Sequence, residues 1–130
     1  MKKRDHFNMN VIALDLEGTL ISNAMSQIPR PWLGEFLEAC KSICPRVVIF
    51  TTVNENLFRN IARLLVEENV VPHWFSEIEY VNWVGPTKNL EFISSSNSKE
   101  VVLVDIYIHP GQESSWIEIK QFDHTYQESI

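Results

Sequence analysis

Positive charge is scarce in this chain. Lys and Arg together number 11 against 17 Asp and Glu, which sets the net charge at −6 and the pI near 5.1. A duplex DNA or RNA binder usually presents a basic face, so this balance argues against one. Cysteine is scarcer still, with only Cys40 and Cys44. They sit four apart in "FLEACKSIC", on one helical face, and read as reduced, partly buried thiols. A zinc site would need further ligands at suitable spacing, and the scattered histidines His6, His73, His109 and His124 do not supply them. Long apolar runs are missing as well. After the basic opening "MKKRDHFNMN" the apolar stretch lasts about four residues before Asp15, against roughly 7–15 for a secretory leader and about 20 for a membrane span. The expectation is a cytoplasmic protein with no membrane partner. There is no internal repeat, and the one biased stretch, "SSSNSKE", reads as a loop.

Apolar material is plentiful at 45%, enough for a core in a chain of 130 residues. The expectation is one domain over residues 1–130, with flexible ends at 1–9 and 124–130. Val11 to Asp15, Val47 to Thr51 and Val101 to Asp105 are continuous apolar runs, as in strands buried on both faces. "PRPWLGEFLEACKSI" places Trp32, Leu33, Phe36, Leu37 and Cys40 at helical spacing, with Pro31 near the start. "NENLFRNIARLLVEEN" is a clear amphipathic helix carrying Leu57, Phe58, Ile61, Leu64 and Leu65. Weaker signals predict a strand at Glu77 to Val81, a short helix in "TKNLEFIS" and an edge strand in "WIEIKQF". The aromatics Trp74, Phe75, Tyr80 and Trp83 read as core and rim packing rather than as a substrate platform. Strands alternating with helices predict an α/β fold with a mostly parallel sheet covered on both faces.

Such sheets bind ligands at the carboxyl ends of their strands. Here the three strongest strands end in Asp15, Thr51 and Asp105. Asp15 and Asp105 make a hard oxygen pair suited to Mg²⁺, which takes one or two carboxylates together with water and phosphate oxygens. A carboxylate can also attack phosphorus and form an aspartyl-phosphate. Glu17 shares the parity of Asp15 while Leu16 points away, so a second acid stands ready to protonate a leaving oxygen and later deprotonate water. Gly18 allows a tight turn behind the pair. Thr19, Thr51 and exposed amides near Thr52 are candidate donors to phosphate oxygens, and Lys88 in "GPTKNLEF" is the candidate cation.

At this point "DLEGTL" resembles the first motif of haloacid dehalogenase-like (HAD) phosphatases: a nucleophilic Asp, any residue, a second acid, then Gly-Thr. "VVIFTT" resembles the second motif, Lys88 stands where the third-motif lysine belongs, and "VVLVD" resembles the fourth. More narrowly, "VIFTTVNENLF", "TKNLEF" and "VVLVD…HPGQESSWIEIKQF" are similar to the NLI-interacting-factor-like branch, the small C-terminal-domain phosphatases. The resemblance covers roughly Val11 to Phe122. It implies a Rossmann-like three-layer sandwich and a Mg²⁺-dependent phosphatase. Asp15 would be nucleophile and metal ligand, Glu17 general acid/base, and Thr51 and Lys88 would hold the phosphoryl group, beside the candidate phosphate-donor amide of Thr52. Asp105 and the Leu16 carbonyl would complete the metal ligands.

Two positions depart from the pattern. Glu17 stands where the second acid is usually Asp; enolase-phosphatases of the same superfamily resemble this sequence in having Glu there. Ile106 follows Asp105 where a further acid or amide is usual, and the next carboxylate is Glu113. They support the alternative reading, a weak or inactive HAD-like domain used as a binding or scaffold module. Neither residues 20–46 nor residues 53–87 leave room for a cap domain. An uncapped site suits a phosphorylated macromolecule, or a small phosphate ester if another subunit closes the site.

Overall fold

The computed structural model describes residues 10–83, 93, 101–105 and 116–122. Among these residues five parallel strands form one sheet: β1 (Val11–Leu14), β2 (Arg46–Ile49), β3 (Glu79–Tyr80), β4 (Val101–Asp105) and β5 (Trp116–Glu118). Their order across the sheet is β3-β2-β1-β4-β5. The chain builds outward from β1 on one side, then returns to build on the other. That reversal makes the boundary between β1 and β4 the switch point, the place where an open α/β sheet leaves a crevice.

The continuous apolar runs follow from burial on both sheet faces. Ile12, Leu14, Val47, Ile49 and Val104 join one cluster with α1 (Leu33–Ile43) and α2 (Glu55–Glu67). The alternate residues Val11, Ala13, Val48, Phe50, Val101 and Leu103 join a second cluster with Val81, Ile93 and Trp83. Ile93 is the one described residue of the expected "TKNLEFIS" helix; the rest of that segment lies outside the described residues, as do the ends 1–9 and 124–130.

The first two of the three expected helices form, with sharper limits. Asn54 caps α2, its side chain accepting the Leu57 N–H at 2.9 Å. The helix ends in a Schellman turn, with Asn69 at φ 61° and the N–H groups of Asn69 and Val70 bonding back to Val66 and Leu65 at 3.0 Å. Phe58, Ile61 and Leu65 face the core, whereas Leu57 and Leu64 lie at the margin of the stripe, each 38% exposed. α1 starts at Trp32, which takes φ 61°, a costly conformation for a bulky residue. Its ring is held by an edge contact to Phe36 at 6.0 Å and by the Arg30 guanidinium at 5.8 Å.

The expected Glu77–Val81 strand shrinks to two residues, because a 3₁₀ helix over His73–Glu77 takes up its start. A forked ion pair ties this short edge to β2: Arg46 Nε and Nη2 donate to the two oxygens of Glu79 at 2.9 and 2.7 Å. The same hydrogen bonding raises the Arg46 pKa above its ordinary value. Cys40 and Cys44 are buried thiols, not joined in a disulfide. Burial, with the neighbouring Cys44 second, pushes the Cys40 thiol up to about 11.

Candidate active site

Asp15 and Asp105 end up level with each other. β1 pairs with β4 through Leu14 and Val104, and the Asp15 N–H continues the ladder by donating to the Val104 carbonyl at 3.1 Å. One step beyond that pair, Asp15 lies beside Asp105 on strands about 4.8 Å apart. Both follow the parity of the second core cluster and are buried, at 7% and 1% exposure. A buried carboxylate is costly without compensating donors. For Asp15 one donor is the Thr19 hydroxyl, 3.1 Å from Oδ2. Thr19, expected as a phosphate donor, therefore serves Asp15 instead, since a hydroxyl has one proton to give.

The turn after Asp15 is closed by backbone bonds. Gly18, at φ 76°, donates to the Ile21 carbonyl at 2.7 Å and accepts from the Phe122 N–H at 2.8 Å. The Leu16 side chain is fully buried in the first core cluster. Its carbonyl, expected as a metal ligand, accepts from the amides of Leu20, Ile21 and Thr19 at 2.8, 3.2 and 3.3 Å. It is engaged in closing the turn.

Glu17 is half-buried, and its Oε2 accepts the Ala24 N–H at 2.6 Å. Ala24 belongs to a tight turn in which Asn23 Oδ1 accepts from Met25 and Ser26 at 2.9 and 2.8 Å, and the Asn23 carbonyl accepts from Gln27 at 2.8 Å. Behind this turn, buried Arg30 donates to the carbonyls of Thr19 at 2.8 Å, Gly18 at 3.2 Å and Lys120. Its guanidinium also lies 5.2 Å from the Phe122 ring centre. None of this bracing was anticipated. Arg30 and Ala24 act on or through backbone groups, which carry no residue-type signature.

Thr51 follows β2 and is buried, its Oγ1 accepting the Val53 N–H at 3.2 Å. Thr52 is exposed. The Thr51 carbonyl accepts the Trp83 indole N–H at 2.9 Å, and the Val53 carbonyl accepts the Tyr80 hydroxyl. On the far side the Trp116 indole donates to the Asp105 carbonyl at 3.2 Å. Burial, and secondly the charge of Glu55, raises the Tyr80 pKa, with Arg59 opposing. The phenol thus stays a donor across the neutral range. Two aromatics of the Trp74–Trp83 stretch are therefore loop braces as well as packing. Trp74 and Phe75 remain packing, with Phe75 edge-on to Phe58 at 5.6 Å.

Lys88, Ile106 and Glu113 lie outside the described residues. Among the described residues no group of three or more His, Cys, Asp or Glu is gathered as a metal cluster. The donor set at the switch point still fits Mg²⁺, which needs only one or two carboxylates and completes its shell with water and substrate oxygens. No helix among the described residues is long and apolar enough to cross a membrane.

A parallel sheet of this order, with carboxylates at the switch point and no cap domain among the described residues, defines a Rossmann-like domain of the HAD type. The chain belongs to the NLI interacting factor-like phosphatase family, whose profile matches residues 10–129. No curated protein matches the chain.

Proposed function

We propose that this phosphatase domain hydrolyses a phosphate monoester through an aspartyl-phosphate on Asp15, with Glu17 as general acid and base. The observation carrying the reading is that Asp15 and Asp105 stand one residue past the paired Leu14 and Val104 at the switch point, with Glu17 two residues on from Asp15. An Asp15 oxygen attacks phosphorus, the bond to the leaving oxygen breaks, and that oxygen takes the Glu17 proton. Glu17 then accepts a proton from water, whose oxygen attacks phosphorus and releases phosphate from Asp15. Thr51 accepts from Val53, which leaves its own hydroxyl proton for a phosphate oxygen. The Thr52 amide and Lys88 are the further phosphate donors. Mg²⁺ held by Asp15 and Asp105 would neutralise phosphoryl charge; the Leu16 carbonyl could join them only by giving up its turn bonds.

The absence of room for a cap supports a phosphorylated macromolecule as substrate, or a small ester if a second subunit supplies the lid. The test is hydrolysis of p-nitrophenyl phosphate with Mg²⁺ and with EDTA, for the wild type and Asp15→Asn. Metal-dependent turnover that Asp15→Asn reduces to background is the expected result. A folded wild type that does not turn over with Mg²⁺ would refute the enzyme and leave the scaffold module.

A further inference from the structure

We infer that Trp83 is a positioning residue for the phosphate-binding loop, aiming the Thr52 N–H at the end of β1. The inference rests on the phosphate-binding reading of Thr51 and Thr52 and identifies what orients it.

The argument follows the hydrogen-bond ladder on β2. The Ile49 carbonyl accepts the Val81 N–H at 2.9 Å, on the β3 side. In the same peptide the Phe50 N–H donates to the Leu14 carbonyl at 2.8 Å, on the β1 side. A trans peptide is planar, so its C=O and N–H point in opposite directions. Two residues on, the next carbonyl toward β3 is that of Thr51, and a continuing parallel strand would meet it with the backbone N–H of residue 83. Here the Trp83 indole N–H takes that place, at 2.9 Å. The rung is kept although the paired strand β3 ends at Tyr80. With the Thr51 carbonyl drawn toward β3, the Thr52 N–H of that peptide points the other way, toward β1 and Asp15.

Two further contacts hold the device. The Trp83 ring stands edge-on to Phe50, with centres 5.8 Å apart and planes at 82°, which fixes the indole direction. The Tyr80 hydroxyl holds the Val53 carbonyl, so the next peptide but one is tied as well. The Thr52 N–H itself meets no backbone acceptor among the described residues. A backbone donor so aimed, beside the end of β1, suits an anionic oxygen.

Trp83→Phe keeps an aromatic ring beside Phe50 and removes the indole donor. With inorganic phosphate as probe, read by calorimetry in Mg²⁺ buffer, the substitution should weaken binding about tenfold, the low end of what a hydrogen bond to a charged group contributes. In turnover, KM should rise by a similar factor for an alkyl and an aryl phosphate alike, because Glu17 is untouched. Trp74→Phe removes a comparable indole bond, to Glu38 at 3.4 Å, and should leave phosphate binding unchanged. In the wild type, added phosphate should shift the Thr52 amide resonance. A wild type that binds phosphate without turning over would sink the phosphatase reading yet leave this inference to stand or fall on Trp83→Phe. Unchanged phosphate affinity in folded Trp83→Phe, or a Thr52 resonance indifferent to phosphate, would overturn it.

Discussion

Glu17 is held by a backbone amide, and that makes its chemistry separable from its structural part. Gln at position 17 keeps an acceptor oxygen for the Ala24 N–H, so the turn survives while the transferable proton is lost. An alkyl phosphate leaves as a basic alkoxide and needs that proton, whereas a nitrophenyl ester leaves as a stabilised phenolate and needs it far less. General acid–base catalysis contributes about 10²–10⁴-fold. Glu17→Gln should therefore slow an alkyl phosphate by about that factor, with a smaller first-step penalty for the nitrophenyl ester. Loss of the base in the second step should give that ester a burst followed by a slow phase, read by stopped-flow absorbance. Equal losses on both esters with no burst would make Glu17 a brace for the 23–27 turn alone. Asp15, Thr51 and Asp105 were legible as candidates because a charge or hydroxyl closing a buried apolar run is costly and wants a reason. The bond from Thr19 to Asp15 was not, since "Gly-Thr" fits a donor to phosphate equally well.

At the scale of elements, legibility followed periodicity. β1, β2 and β4 stood out because burial on both faces demands unbroken apolar runs, and α2 because its stripe recurs at helical spacing. β3 was overestimated, since Pro72 sets up a 3₁₀ helix that no hydrophobic period announces. The junction between helices is also silent in the sequence, although it limits how α1 can be changed. A Cβ built on Gly34 would lie 2.7 Å from the Val70 carbonyl oxygen, in the Schellman turn that ends α2. The clash is with backbone, which cannot rotate away. Ala normally improves a helix position over Gly by up to about 1 kcal/mol. Gly34→Ala should do the reverse and lower unfolding free energy by about 1–3 kcal/mol, the usual cost of overpacking. Urea denaturation reads it, and a stabilised variant would show that the α1–α2 junction gives way freely.

Across the whole molecule, the turn after β1 is fastened to a segment about a hundred residues further along the chain, through Gly18 and Phe122 and through Arg30. Arg30 is the fastener. One guanidinium donates to the Thr19 and Gly18 carbonyls on one side and to Lys120 on the other, while the Phe122 N–H returns to Gly18. "RPWLGEFL" carries no sign of this role, because the acceptors are main-chain carbonyls and the pairing appears only once β5 lies beside β4. The planar fork matters more than the charge. Three carbonyls at fixed angles match a guanidinium, whereas a Lys ammonium is a single point on a flexible stem. Arg30→Ala takes a donor from the buried Thr19 carbonyl and one from the Lys120 carbonyl, leaves Gly18 with the Phe122 N–H, and removes the guanidinium packed on Phe122. A buried acceptor left unsatisfied by itself costs about 1–3 kcal/mol. The expected loss in unfolding free energy is about 3 kcal/mol or more, with Arg30→Lys recovering less than half. Amide exchange should localise the damage: the Phe122 and Gly18 amides should lose protection in both variants, while Ile12 and Val102 in the central strands keep theirs up to the new global limit. A loss below about 1 kcal/mol with Phe122 still protected would mean that the last segment is anchored without Arg30, and the turn bearing Glu17 would then be tied to that segment by the Gly18–Phe122 bond.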